Sequence, residues 1–167
     1  LTDAWADHGI RFAPEESVDG VGDLWWAPQV AGNLNQIQKL KAEFPNIKLL
    51  ISIGGWSFSD KFSDVALTPA SRQTFVASCV DMFIRGNFGS EIGPVPGLFD
   101  GIDLDWEYPG ACGNTCNFRP EDTPNFPPLL AEFRAQLDAE GAAAGRRYEL
   151  AIVAPATDAF VAKLELK

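Results

Sequence analysis

The sequence is poor in histidine and cysteine and has few basic side chains. Its 167 residues include one His, three Cys, and 13 Lys or Arg against 23 Asp or Glu, so the formal net charge at pH 7 is −10. Three cysteines are too few for a miniprotein that is held together by disulfides. An acidic chain repels phosphate backbones, and we therefore expect no nucleic-acid partner.

Long apolar runs are also absent. No run approaches the roughly 18–20 residues that a membrane-spanning helix needs, so we expect no membrane partner. Hydrophobic residues make up 46% of the chain and charged residues 22%, which is an ordinary globular composition and excludes a disordered or collagen-like chain. The chain starts at Leu1 without a leader and stops within a helical pattern over residues 157–167. We therefore expect a fragment that is truncated at both ends.

Strand and helix patterns alternate along the chain. Short apolar stretches ended by glycine or proline predict buried strands over residues 47–53, 97–106 and 148–153. Apolar spacing predicts helices over residues 34–44, from an N-cap at Thr68, and from Pro127 to a stop at Gly141. This alternation implies a parallel sheet covered by helices, either doubly wound or a (β/α)₈ barrel.

The most informative stretch is the acidic strand at residues 100–107. Side chains on a strand alternate between its two faces, so one face is expected to carry the carboxylates and the other to pack under helices. The first face holds Asp103, Asp105 and Glu107, and the second holds Ile102, Leu104 and Trp106. Asp100 has the opposite parity to the three carboxylates and is predicted to be a supporting residue near the start of the strand.

Three carboxylates along one face of a buried strand are costly for folding. Like charges that are close and partly desolvated raise one another's pKa, and we expect a shared proton. Carboxylates with different pKa values suit catalysis, because one carboxylic acid stays protonated while a neighbouring carboxylate stabilises positive charge. Glu107 is nearest the carboxyl end of the strand, where ligands bind in parallel α/β folds, and is our candidate general acid.

Two other interpretations of the carboxylates remain open. The strand could be a polar edge strand that faces solvent, although the apolar residues on its other face argue against this. The carboxylates could instead ligate Mg²⁺ or Ca²⁺. The single histidine, His8, is far away in the sequence, which disfavours a transition-metal site that uses histidine.

Two motifs resemble those of family 18 glycoside hydrolases, the chitinase family. Residues 100–107, Asp-Gly-Ile-Asp-Leu-Asp-Trp-Glu, resemble the DxxDxDxE signature, and residues 52–55, Ser-Ile-Gly-Gly, resemble the SxGG motif one strand earlier. The resemblance to bacterial secreted members is strongest. It implies that residues 1–167 are a piece of one (β/α)₈ catalytic barrel, roughly strands three to five with their helices.

The resemblance also implies hydrolysis of β-1,4-linked N-acetylglucosamine in chitin by a retaining, substrate-assisted mechanism without a cofactor or metal. Glu107 would protonate the leaving oxygen and Asp105 would orient the substrate acetamido group, while Asp103 would share a proton with Asp105. Ser52 would hydrogen-bond into this cluster. Gly54 and Gly55 would support it by allowing a sharp turn or a close ligand approach, although a generic strand-ending turn is the better explanation of the two glycines taken alone.

The remaining candidates are aromatic residues and cysteines. Trp56 would either stack on a sugar or pack in the barrel, and Tyr108 would line the cleft or close the strand end. A secreted enzyme would form a local disulfide between Cys112 and Cys116, whereas Cys79 is expected to be a buried free thiol.

Several expectations concern the whole protein. We expect it to be secreted and monomeric at full length, and we expect residues 1–167 alone to be poorly stable and inactive, because open sheet edges favour aggregation. The alternatives are an endo-β-N-acetylglucosaminidase that acts on N-glycans, a non-catalytic chitin-binding lectin on the same fold, and a metal-dependent barrel enzyme.

Overall fold

The computed structural model describes residues 5–24, 30–89, 92–156 and 161. In chain order the main elements are α1 (Gly32–Glu43), β1 (Leu50–Gly54), α2 (Phe62–Ala66), α3 (Pro69–Cys79), β2 (Gly101–Asp105), α4 (Asp122–Ala144) and β3 (Glu149–Ile152). Short helical turns occur at Trp5–Gly9, Pro14–Glu16 and Val80–Ile84. The helix predicted over residues 157–167 lies outside the described residues, apart from residue 161.

The three strands form one parallel sheet in the order β1-β2-β3. The prediction of three parallel strands between helices is therefore confirmed, but each strand is shorter than its apolar stretch. Leu98 and Phe99, for example, are buried before β2 begins. Flanking apolar residues are buried without joining the hydrogen-bonded ladder, and hydrophobicity alone therefore overestimates strand length.

Contacts divide the chain into two compact units, of which one comprises Leu1–Leu49 and Met82–Leu98. In this unit, Asp23 accepts hydrogen bonds from the Phe12 amide (3.0 Å) and from the Asn35 side chain (2.5 Å). Lys41 Nζ donates to the carbonyl of Gly97 at 3.0 Å and to that of the next residue at 3.2 Å. These polar contacts join α1 to the loops of its own unit.

The second unit, Leu50–Asp81 and Phe99–Lys167, contains the sheet. Ile102, Leu104 and Trp106 are buried, as the parity of the acidic strand predicts. The Trp106 ring packs between Phe62, at 5.5 Å and nearly parallel, and Phe126, at 5.8 Å and edge-on. The Trp106 ring, one residue beyond β2, therefore lies against α2 and α4, and the residues of the opposite parity carry the carboxylates.

Helix ends were predicted correctly where the signal is local. The Thr68 hydroxyl accepts the Ser71 amide at 3.1 Å, and Pro69 opens α3. Both predicted ends of α4 are wrong, because Pro127 and Pro128 lie inside the helix and Gly141 does not stop it. Gly145 caps the helix with φ 64°. Gly141 is needed for space instead, since a Cβ there would lie 2.4 Å from the Arg146 carbonyl.

A fully buried carboxylate anchors the start of α4. Asp122 accepts hydrogen bonds from the Ser63 hydroxyl (2.7 Å) and the Arg119 amide (2.8 Å). We expect Asp122→Ala to lower the free energy of unfolding by about 3 kcal/mol, because a buried donor and a half-buried donor lose their acceptor. Urea unfolding measures this, with Asp138→Ala on the same helix as the control. The exposed pair of Asp138 with Arg134 is worth about 0.5 kcal/mol, so equal losses would contradict the prediction.

The cysteines follow the sequence expectation. Cys112 and Cys116 form a disulfide, and Cys79 is a buried free thiol whose pKa burial raises to about 12. Within the described ranges, the helices are all too short or too polar to cross a membrane.

Candidate active site

The predicted catalytic carboxylates lie at the carboxyl end of β2. Asp103 and Asp105 belong to the strand, and Glu107 follows two residues after its last residue. In the neighbouring strand, Ser52 is the register partner of Asp103 and Gly54 is the partner of Asp105. The two motifs are thus side by side in the sheet.

The three carboxylates are close enough to influence one another electrostatically. Burial, followed by the negative charges of Glu107 and Asp103, raises the pKa of Asp105 above its usual value. The catalytic roles of the three side chains stay a prediction. Asp105 Oδ1 is buried and has no hydrogen-bond partner among the residues that the structure describes. A buried acceptor without a partner is unusual in a folded protein, and it is available to a ligand that carries an N–H or O–H group.

Tyr108 lies beside the candidate acid. Its phenol has a raised pKa because of partial burial, a side-chain hydrogen bond to Glu107, and the charges of Glu107 and Asp105. The peptide bond between Glu107 and Tyr108 is cis. Tyr108 interacts with the candidate acid and lies three residues beyond the end of β2.

Two glycines bring the end of β1 against the backbone of Asp105. Gly54 and Gly55 have φ values of 112° and 85°, which favour glycine. A Cβ on Gly54 would lie 2.2 Å from the Asp105 carbonyl oxygen, and the Gly55 amide donates to that oxygen at 2.7 Å. Gly55 also lies next to the carboxylate, since a Cβ there would be 3.5 Å from Asp105 Oδ2. Gly54 is therefore required for its close approach to Asp105, whereas Gly55 is favoured by its φ value, because a Cβ there would make only an ordinary contact.

Ser52 and Trp56 are both exposed. The Ser52 hydroxyl makes no hydrogen bond to a carboxylate in the described part of the chain, so its predicted role stays a prediction. Trp56 has 54% of its surface exposed, which leaves its ring available for stacking on a ligand. Packing of Trp56 in a barrel, the other interpretation, stays a prediction.

Asp100 lies at the opposite end of β2 from the other carboxylates. Its buried side chain pairs with Arg146, whose guanidinium also stacks over the Tyr148 ring at 4.7 Å. Its carbonyl accepts the Glu149 amide at 2.9 Å. Asp100 therefore stabilises the junction of β2 with β3 and does not support the candidate catalytic groups directly.

Sequence reasoning missed two residues that contact the backbone of Glu107. The Glu107 amide donates to the hydroxyl of buried Ser59, and its carbonyl lies against Gly113. The sequence gives no reason to prefer Ser59 over Ser57, because both lie in the same short turn. Gly113 is one of several glycines in a loop, and no local pattern distinguishes it.

A metal site finds no support in this part of the molecule. Among the described residues, no group of three or more His, Cys, Asp or Glu side chains is arranged to hold a metal ion. The carboxylates are instead spaced along β2 and the residues that follow it. A carboxylate beside a buried, desolvated acceptor is an arrangement suited to acid–base chemistry on a neutral ligand.

The chain is similar to bacterial chitinases over nearly its whole length. It is 44% identical to chitinase A1 of Niallia circulans over 167 residues, covering 99% of this chain and 21% of that protein. It is 42% identical to chitinase C of Streptomyces lividans over 137 residues, covering 81% of this chain and 20% of that protein. The chain thus spans about a fifth of the length of these curated relatives.

A solved structure gives the same result. The catalytic domain of the psychrophilic chitinase B from Arthrobacter TAD20 superposes with a TM-score of 0.90 at 45% identity, covering 97% of this chain and 39% of that domain's chain. The family model for glycosyl hydrolases family 18 matches residues 3–166. The resemblance of the two motifs therefore extends to the whole chain, which belongs to family 18 of the glycosyl hydrolases.

Proposed function

We propose that this chain is the part of a (β/α)₈ catalytic barrel that carries strands three to five, and that the complete protein is a chitinase. It would hydrolyse β-1,4-N-acetylglucosamine linkages in chitin and chito-oligosaccharides with retention of configuration. The single observation that carries this proposal is the buried, unpartnered Oδ1 of Asp105 beside Glu107. Such an acceptor matches the N–H of a substrate acetamido group.

In the first step, the Glu107 carboxylic acid donates its proton to the glycosidic oxygen as that oxygen leaves the anomeric carbon. The acetamido carbonyl oxygen of the same sugar forms the new bond to that carbon, which gives a positively charged oxazolinium. Asp105 accepts a hydrogen bond from the acetamido N–H and stabilises the positive charge. Burial and the negative charges of Glu107 and Asp103 raise the pKa of Asp105, so a positive charge that develops beside it relieves an unfavourable environment for its ionised form.

In the second step, the Glu107 carboxylate takes a proton from water, and the water oxygen attacks the anomeric carbon. The ring of the oxazolinium opens and the acetamido group is restored. Two displacements at one carbon give net retention. An internal nucleophile arrives already positioned, which removes much of the entropic barrier, and the protein needs to supply only an acid and an electrostatic stabiliser.

The surroundings of the site agree with a polysaccharide substrate. The exposed Trp56 ring offers an apolar face of the kind that pyranose C–H groups contact. The disulfide between Cys112 and Cys116 is of the type that persists in oxidising compartments, and we propose that the protein is secreted. Secretion also fits a substrate that is an insoluble polymer.

The test is to incubate the complete enzyme with chitin tetramers and hexamers and to follow the products by proton NMR. We expect shorter oligomers whose new reducing end is first the β-anomer, at a rate that EDTA does not change. Fully deacetylated oligomers are the control, and they should not be cleaved because they lack the internal nucleophile.

Each alternative function has its own outcome in this test. Preferential cleavage of a high-mannose glycopeptide would indicate an endo-β-N-acetylglucosaminidase, and binding without any cleavage would indicate a lectin. Inhibition by EDTA would indicate a metal-dependent enzyme. Release of the α-anomer first would contradict the retaining mechanism.

A further inference from the structure

The backbone of Glu107 lies outside the part of β2 that the sheet holds. The ladder between β1 and β2 ends at Asp105, and the ladder between β2 and β3 ends at Leu104. The amide of Glu107 therefore receives no acceptor from a neighbouring strand. A buried or half-buried amide needs a partner, and here that partner also determines where the candidate acid sits.

Ser59 supplies the acceptor. Its Oγ lies 3.0 Å from the Glu107 amide nitrogen, and the same hydroxyl is within donating distance of the carbonyls of Gly55 (2.8 Å) and Asp105 (3.1 Å). Ser59 is 6% exposed, so water does not compete effectively for these bonds. One hydroxyl thus connects the glycine turn after β1, the end of β2 and the peptide of Glu107.

The segment that carries Ser59 is fixed independently of Glu107. The Asn117 side chain donates to the Asp60 carbonyl, and Arg119 pairs with Asp64 at 2.5 Å. Ser59 therefore provides a defined position for its hydroxyl rather than following the movements of the acid.

Gly113 restricts the same residue from the other side. A Cβ on Gly113 would lie 2.1 Å from the Glu107 carbonyl oxygen. This glycine belongs to the short loop that the disulfide between Cys112 and Cys116 closes. The Glu107 residue is thus held at its amide by a hydrogen bond and at its carbonyl by a close contact.

We propose that Ser59 is a positioning residue for the general acid, a role that rests on the function proposed above. By accepting the Glu107 amide, Ser59 holds the acid at the distance from Asp105 that protonation of the glycosidic oxygen requires. Reacting groups are sensitive to such placement, since a shift of about 1 Å can cost about 100-fold in rate. A purely structural serine would affect stability alone.

The experiment compares Ser59→Ala with Ser63→Ala in the complete enzyme. Ser63 is also a buried serine of this segment, but it donates to Asp122 at 2.7 Å. We expect Ser59→Ala to lower kcat on a chitin tetramer about 10- to 100-fold with KM changed less than about threefold. Ser63→Ala is expected to lower Tm while kcat per folded molecule stays at the wild-type value. Ser59→Thr keeps the hydroxyl and is expected to recover most of the lost kcat.

A second pair of variants tests the contact of Gly113 with the Glu107 carbonyl. Gly113→Ala is expected to lower kcat with little change in KM, because the new methyl group displaces the Glu107 carbonyl. Asn114→Ala, an exposed residue of the same loop, is the control and is expected to keep the wild-type kcat.

Wild-type kcat in Ser59→Ala would overturn the positioning role, and so would equal losses of kcat in Ser59→Ala and Ser63→Ala. In both cases the wild-type enzyme still cleaves the tetramer, so the proposed chitinase activity is unaffected. A wild-type enzyme that does not cleave the tetramer would overturn the proposed function and this role together.

Discussion

Glu107→Gln is expected to reduce turnover of chitin oligomers by about 10³-fold or more, because general acid catalysis contributes about 10²–10⁴ and no other carboxylic acid occupies its place. The amide side chain has nearly the same shape but has no proton to donate to a leaving oxygen. Oligosaccharide binding is expected to stay within a few-fold of the wild-type affinity. Steady-state kinetics and isothermal titration calorimetry on the same preparations measure both quantities.

The matched control is Glu121→Gln, an exposed glutamate that immediately precedes α4. This variant removes the same charge within the same unit but should leave turnover and binding unchanged. Unchanged turnover in Glu107→Gln would exclude Glu107 as the acid. Loss of binding together with turnover would instead mean that the substitution disturbs the substrate site.

Asp105→Asn is expected to lower turnover by about 10²–10³-fold, because the group that stabilises the developing positive charge becomes neutral. The same substitution should raise the stability of the protein at neutral pH. The raised pKa of Asp105 means that its ionised form is disfavoured in the folded state by burial and by the charges of Glu107 and Asp103. The neutral amide carries no such penalty.

The sign of the pH dependence follows from linkage. A carboxyl group whose pKa is higher in the folded state binds its proton more tightly there, so it destabilises the fold as the pH rises from its unfolded pKa through its folded pKa. The gain in Tm from Asp105→Asn should therefore be larger at pH 7 than at pH 4. Asp138→Asn, at an exposed site on α4, is the control, with a small change in Tm at both values. A gain that is equal at the two pH values would contradict this account.

Together, Glu107→Gln and Asp105→Asn test whether the carboxylates of β2 serve catalysis or structure. A group that weakens the fold while it accelerates the reaction is expected at an active site and has no reason to persist in a structural strand. If Asp105→Asn is both less stable and less active, the aspartate acts chiefly as a structural residue.

Much of the carboxylate strand was predictable because its signal is local. The alternation of side chains on a strand needs only a period of two, and it placed Trp106 under the helices and Asp103 and Asp105 on the other face. The N-cap at Thr68 was predictable for the same reason, since a cap and the amide that it accepts are three residues apart.

The start of α4 was predicted incorrectly because a distant contact determines it. A pair of prolines normally marks the first turn of a helix, and Pro127 and Pro128 were interpreted in this way. The helix begins at Asp122 instead, and its carboxylate is held by Ser63, which is 59 residues away in the sequence. The buried contact of Asp122 with Ser63 therefore outweighs the local preference of prolines for the first turn of a helix.

The sequence by itself determined the parallel α/β organisation, the family, and the face on which the carboxylates lie, because these depend on periodicity and on short motifs. The tertiary structure alone decided which groups surround those carboxylates. Ser59 and Gly113 contact the backbone of Glu107, and Arg146 pairs with Asp100 at the far end of the strand. These contacts join residues that lie 6 to 48 positions apart in the chain. Only the folded chain brings such residues together, and a serine or a glycine has the same local pattern whether or not it meets a catalytic group.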